Sequence, residues 1–191
     1  MRLFFAVDLP EELVTRLAAV ADRLRPAASR LGNFRWVAPA SLHVTLKFLG
    51  EVDEGRLPLL EKLAAGCRPG AFELVPGGWG YFPAAHRPRV FWLGFAGDVE
   101  AMRRLAGQVD KAAAGIGIEP EKRSYTPHLT LARIREQRCR RAAAFQELAG
   151  RAAELLGPAA SFRVENFVLY QSTLTPKGAV YRQVAVFPLG D

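Results

Sequence analysis

The sequence predicts an α+β chain of two pseudo-symmetric lobes, each an antiparallel sheet with helices on its outer face, enclosing a central groove. Each half of the chain reads strand, helix, long loop, strand, helix, strand. The strand that opens each half precedes a histidine-bearing strand by a similar number of residues. Two repeats are too few for a solenoid, so layers packed around a shared core are expected, with the groove between them as the ligand site. The 191 residues make one bilobal domain, 1–191, with repeats at roughly 1–88 and 89–191.

Arg2–Val7 is a short apolar strand. Asp8 and Pro10 open a helix with Glu11 and Glu12 in its first turn; Leu13, Leu17, Val20 and Leu24 recur at helical spacing, and Pro26 is expected to end it. Gly32, Trp36 and Pro39 fall in a loop. Leu42–Leu49 is a strand closed by Gly50. Asp53 begins a helix carrying Leu57, Leu60, Leu63 and Cys67 on one side. Ala71–Val75 is a strand, and the Gly, Pro and aromatic stretch from Pro76 to Pro88 reads as a loop or irregular hairpin. In the second half, Val90–Phe95 is a strand, and Asp98 caps a helix bearing Val99, Met102, Leu105 and Val109. A loop runs through Gly117 and Pro120 to the strand His128–Ile134. Arg141–Leu156 is a helix; Phe162–Tyr170 and Val180–Phe187 are strands joined by a turn over Ser172–Gly178.

Composition narrows the function classes. Apolar residues make up 50% and charged residues 24%, ordinary for a soluble globular protein. The apolar start is too brief for a secretion signal and no run approaches membrane-spanning length, so a soluble cytoplasmic monomer without a membrane partner is expected. Cys67 and Cys139 form no Cys-x-x-Cys pair and read as reduced thiols. The net charge of +7 favours anions, of which nucleic acid is the commonest large one, although the excess is nearly all arginine in an alanine-rich chain.

Two of the three histidines occur as His43-Val44-Thr45-Leu46 and His128-Leu129-Thr130-Leu131. Alternate side chains on a strand share a face. His43 and Thr45 therefore point one way, with Lys47 continuing that face, while Val44, Leu46 and Phe48 point the other. His128 and Thr130 share a face likewise. Two imidazoles facing one groove suit phosphodiester hydrolysis: one, neutral, takes a proton from attacking water, and the other, protonated, gives one to the leaving oxygen. Threonine hydroxyls can donate to the non-bridging oxygens that carry transition-state charge. No metal or other cofactor is required. A zinc site would want a third ligand, and no His-Glu-x-x-His cluster is present; His86 lies in a loop.

The chain resembles the 2H phosphoesterases, specifically the bacterial and archaeal RNA 2′,3′-cyclic phosphodiesterases also called 2′-5′ RNA ligases. The resemblance rests on Arg2-Leu3-Phe4-Phe5-Ala6, Trp36-Val37, His43 through Gly50, Pro88 through Gly94, Pro127 through Arg133, Leu169 through Leu174 and Gly178 through Tyr181. It implies opening of RNA 2′,3′-cyclic phosphates to 2′-phosphates, with His43 as proton donor and His128 as proton acceptor. It also implies a capacity of some members to join tRNA halves through a 2′-5′ bond. The readings that compete with hydrolysis are ligation as the main reaction, and a non-catalytic RNA-binding module whose histidines are structural.

Further substrate contacts are expected around the motifs. Lys47 can hold a phosphate as a point charge. Arg133 is drawn to phosphate by the family motif, but strict alternation places it opposite His128, so it reaches the groove only if the strand bulges. Trp36, Tyr125 and Phe82 lie near the motifs and can stack a base, and Ser172 is placed at the groove rim.

Overall fold

The computed structural model describes residues 1–175 and 178–190. Its elements are β1 (Arg2–Val7), α1 (Glu11–Leu31), β2 (Gly32–Trp36), β3 (Val44–Glu51), α2 (Leu57–Ala64), β4 (Phe72–Phe82), β5 (Val90–Gly97), α3 (Val99–Ala114), β6 (His128–Gln137), α4 (Ala142–Leu156), β7 (Phe162–Val164), β8 (Asn166–Thr175) and β9 (Gly178–Pro188).

The strands form one antiparallel sheet in the order β7-β4-β5-β6-β3-β1-β8-β9, with β2 attached to β6. This order is symmetric about the β6–β3 junction. One lobe holds β1, β3, β8 and β9, and the other holds β4, β5, β6 and β7 with β2. Each half of the chain lends two strands to the other lobe: β2 and β4 leave β1 and β3 to pair with β6 and β5, and β8 returns to pair with β1, followed by β9. The helices follow the same symmetry, α1 against α4 and α2 against α3.

Alternation explains which face is dry. Leu3, Phe5 and Val7 of β1, Val44 and Leu46 of β3, and Leu129 and Leu131 of β6 join one continuous core with Leu17, Leu24, Met102, Leu105 and Phe145 of the helices. The opposite face carries the histidines. No helix among the described residues is long and apolar enough to cross a membrane.

Several elements run past their expected ends. α1 continues through Pro26 to Leu31. Proline removes one N–H and costs about 3 kcal/mol in a helix interior. Leu24 and Ala28 on either side are fully buried, and the burial of an aliphatic side chain such as leucine contributes about 1.5–3 kcal/mol. Backbone N–H groups of Arg138 and Cys139 then donate to the Leu31 carbonyl. The expected loop after α1 is instead β2. Gly32 makes this possible, because a Cβ there would lie 2.3 Å from the carbonyl oxygen of Glu136 on the paired strand.

Of the two readings of the stretch from Pro76 to Pro88, the irregular hairpin holds over Pro76–Phe82. This segment extends β4 along β5, with the irregularity confined between Pro76 and Trp79. Asp53 caps a short 3₁₀ turn, accepting from the Gly55 N–H, before α2 begins. Asp98 stands at the start of α3, but its carboxylate accepts from the Glu73 N–H of β4. The single strand expected over Phe162–Tyr170 is broken at Glu165, since β7 pairs with β4 and β8 with β1, in opposite lobes. Ser172–Thr175 extends β8; Pro176 and Lys177, in the turn that the sequence predicts, lie outside the described residues.

Candidate active site

β3 and β6 meet at one register pair, Val44 with Leu129. These are the middle residues of the two His-x-Thr motifs. An antiparallel pair has a local twofold between its strands. Here it maps His43 onto His128 and Thr45 onto Thr130, all on the concave face. Val44 and Leu129 are fully buried beneath them.

The two imidazoles are oriented alike. Nδ1 of His43 lies 2.9 Å from the carbonyl oxygen of Ser41, and Nδ1 of His128 lies 2.8 Å from that of Thr126. A carbonyl can only accept, so each ring carries its hydrogen on Nδ1 and leaves Nε2 as a lone pair. On His43 that lone pair accepts from the Thr45 hydroxyl at 3.1 Å. On His128, Nε2 has no hydrogen-bond partner among the described residues.

Aromatic walls fix the rings. Phe4 and Tyr181 pack on His43 with centroids 4.9 and 5.3 Å away. Phe82 meets His128 edge to face at 4.8 Å and stacks on Trp92 at 5.0 Å. Burial pushes the His43 imidazole down to about 4; its bond to Ser41 opposes the drop and the Arg133 guanidinium adds to it. His128 is lowered for the same reasons in the same order. At neutral pH the free protein therefore presents two neutral imidazoles.

A bulge decides the place of Arg133. Thr130 pairs with Trp92 and Ala132 with Phe91, so Leu131 is an extra residue on β6. Leu131 and Ala132 both enter the core, and Arg133 emerges on the histidine face with its charge felt by both imidazoles.

A second bulge acts oppositely on Lys47. Ala6 pairs with Thr45 and Phe5 with Lys47, which breaks the alternation of β3. Lys47 does not continue the groove face: its ammonium lies 2.5 Å from the Asp110 carboxylate of α3 and 2.8 Å from the Glu119 carbonyl. Phe48 takes the groove side instead, 5.8 Å from Phe4.

The expected base-stacking residues divide. Phe82 lies at His128. Trp36 faces the helices, T-shaped to Phe91 at 6.3 Å and covered by the Arg25 guanidinium at 5.5 Å, because its partner Ala132 is a core residue. Tyr125 donates from its hydroxyl to the Thr45 carbonyl at 2.9 Å and so clasps β3 rather than presenting a ring to the groove. Ser172 sits across from Tyr181 on the groove side of the β8–β9 ladder. Phe4, Tyr181 and Trp92 are site residues that sequence reasoning misses. Their signal is alternation on β1, β9 and β5, masked for Phe4 and Trp92 by the buried apolar residues on either side.

The structure thus defines a two-lobed α+β protein whose curled sheet carries two dyad-related imidazoles, two hydroxyls and an arginine on its concave face. A family model described as LigT-like phosphoesterase matches the chain twice, over residues 7–92 and 96–181. The chain is 36% identical to the RNA 2′,3′-cyclic phosphodiesterase of Methanothermobacter thermautotrophicus over 99% of both chains. It is 35% identical to the protein of that name from Thermus thermophilus, over 99% of this chain and 90% of that one. Among solved structures, that of Escherichia coli LigT complexed with 3′-AMP matches with a TM-score of 0.78 and 29% identity, over 100% of this chain and 98% of that one. The TT0787 protein of Thermus thermophilus matches with a TM-score of 0.76 and 31% identity over the whole of both chains. The chain belongs to the LigT-like phosphoesterase family.

Proposed function

We propose that this protein hydrolyses the 2′,3′-cyclic phosphate at an RNA end to a 2′-phosphomonoester, by acid–base catalysis from two His-x-Thr motifs without a metal. The observation that carries this reading is the Val44–Leu129 pairing, which brings the two motifs together about a local twofold on one face. The printed names of the relatives support the substrate class.

In this reaction His128 Nε2, whose lone pair is open, takes a proton as water attacks phosphorus. The bond from phosphorus to the 3′-oxygen breaks, and protonated His43 delivers a proton to that oxygen. The products are a 2′-phosphomonoester and a 3′-hydroxyl, and solvent returns both imidazoles to their starting states. The negative charge of the bound phosphate opposes the lowering of His43 and so favours its charged form. Thr45, Thr130 and Arg133 donate to the non-bridging oxygens as charge builds there. Lys47, already ion-paired with Asp110, has no part in this scheme.

The test is incubation with a 2′,3′-cyclic-ended oligoribonucleotide in excess chelator, with products separated as 2′-phosphate, 3′-phosphate and joined RNA. Release of 2′-phosphate at an unchanged rate is expected. Loss of turnover with chelator would remove the metal-free scheme. Joined RNA from tRNA halves as the main product would make a 5′-hydroxyl, rather than water, the working nucleophile. No reaction in any buffer would leave an RNA-binding module.

A further inference from the structure

Arg35 of β2 lies directly across from Arg133 of β6. Its neighbours are turned toward the helices: Phe34 stacks on Phe145 at 6.4 Å, and Trp36 packs on Phe91. Alternation then sends Arg35 to the concave face beside Arg133. Both side chains are exposed, and neither is paired with a carboxylate among the described residues. Like charges directly opposite on a ladder are destabilising, with Cβ atoms about 5 Å apart. A bound anion removes that cost, and guanidinium is the side chain that takes phosphate in two parallel hydrogen bonds.

Position sets which anion. β3 touches β6 only at Val44–Leu129, and β2 takes over the same edge of β6 from Ala132 to Gln137. The concave floor therefore continues away from the imidazoles along β2, and positive charge continues with it from Arg133 to Arg35. A chain whose cyclic phosphate lies at the histidines and Arg133 has its next negative charge at the adjoining internucleotide phosphate.

We infer that Arg35 is a substrate-positioning residue that grips the phosphodiester 5′ of the cyclic end, so that the groove prefers oligonucleotide ends to cyclic mononucleotides. This rests on the hydrolysis proposed above. The test compares the wild type, Arg35→Ala and Arg35→Lys on a cyclic-ended dinucleotide and on a 2′,3′-cyclic mononucleotide. Arg35→Ala is expected to lower kcat/KM for the dinucleotide about 10-fold, mainly through KM, and to leave the mononucleotide within about twofold. Arg35→Lys should restore part of the loss. Equal losses on both substrates, or none, would overturn the assignment.

Binding of a fluorescent single-stranded RNA ending in a 3′-phosphate, read by anisotropy, gives a measure independent of turnover. Arg35→Ala should weaken it and reduce the slope of log affinity against log salt by about 0.7, the worth of one phosphate contact on a single strand. An unchanged slope would also overturn the assignment. If the wild type hydrolyses neither substrate, the hydrolysis reading fails while anisotropy still decides the role of Arg35. Thermal unfolding separates a structural role: removing one of two opposed arginines should leave Tm unchanged or raised, and a fall of many degrees would make Arg35 a scaffold residue.

Discussion

Val44 and Leu129 face each other across the junction of the two lobes, each the central residue of a His-x-Thr motif. Continuing that register sets His43 across from Thr130 and Thr45 across from His128. Each imidazole thus has one hydroxyl beside it on its own strand and another across the ladder. Both side chains are fully buried on the core face of the sheet, so the spacing of the imidazoles and hydroxyls is set by core packing rather than by loops.

His43→Ala and His128→Ala should each lower kcat by about two to four orders of magnitude, the usual worth of a general acid or base. Single-turnover rates with a cyclic-ended oligonucleotide check this. Near-normal turnover by either folded variant would end the two-histidine mechanism.

Thr45→Val and Thr130→Val keep the β-branched shape and remove the donor. Each should cost roughly 2–4 kcal/mol of barrier stabilisation, seen in kcat more than in KM. Thr45 also donates to His43 Nε2 in the free protein, so Thr45→Val should in addition raise the pH at which His43 titrates by NMR, because charging the ring no longer breaks that bond. A collapse of affinity with kcat intact would make the threonines ground-state binders.

The pH dependence should differ between the free and bound states. Both imidazoles lie below their ordinary value in the free protein, His43 at about 4. The reaction needs one of them charged and the other neutral, so kcat/KM should follow a bell whose optimum lies below about 6.5. The phosphate charge raises both groups in the complex, so the bell for kcat should sit at higher pH. Coincident bells centred above neutrality, or a steady rise with pH, would contradict the burial of these rings.

Stability should weaken in acid through the same residue. Between about 6.5, the value in the unfolded chain, and about 4 in the folded one, the unfolded state takes up a proton that the folded state refuses. The contribution is therefore full above the unfolded value and is lost as pH falls toward the folded one. Urea unfolding at stepped pH should show His43→Gln losing less stability over this window than the wild type, by on the order of 1–3 kcal/mol. Parallel curves would refute the assignment.

Tyr125→Phe separates the two roles available to this ring. As a clasp on the Thr45 carbonyl, its hydroxyl should be worth about 1 kcal/mol of stability and a few-fold of kcat, with KM nearly unchanged. A base-stacking ring would leave Tyr125→Phe as active as the wild type.

What the sequence determined by itself is periodic or local. The strand–helix order, the dry faces of the histidine strands and the paired His-x-Thr motifs follow from alternation and helical spacing, which need no knowledge of partners. The tertiary structure decided what depends on register between distant segments. Arg133 reaches the groove and Lys47 leaves it because a bulge shifts each strand by one residue, and one residue changes the face. The helix runs on through Pro26 because Leu24 and Ala28 beside it are buried in the core, and Gly32–Trp36 becomes a strand because it pairs with β6, about 100 residues away in the chain. Trp36 and Tyr125 look like base platforms in sequence because an aromatic side chain fits equally well in a core or a groove. Only the strand beside it, Ala132 for Trp36 and Thr45 for Tyr125, settles which.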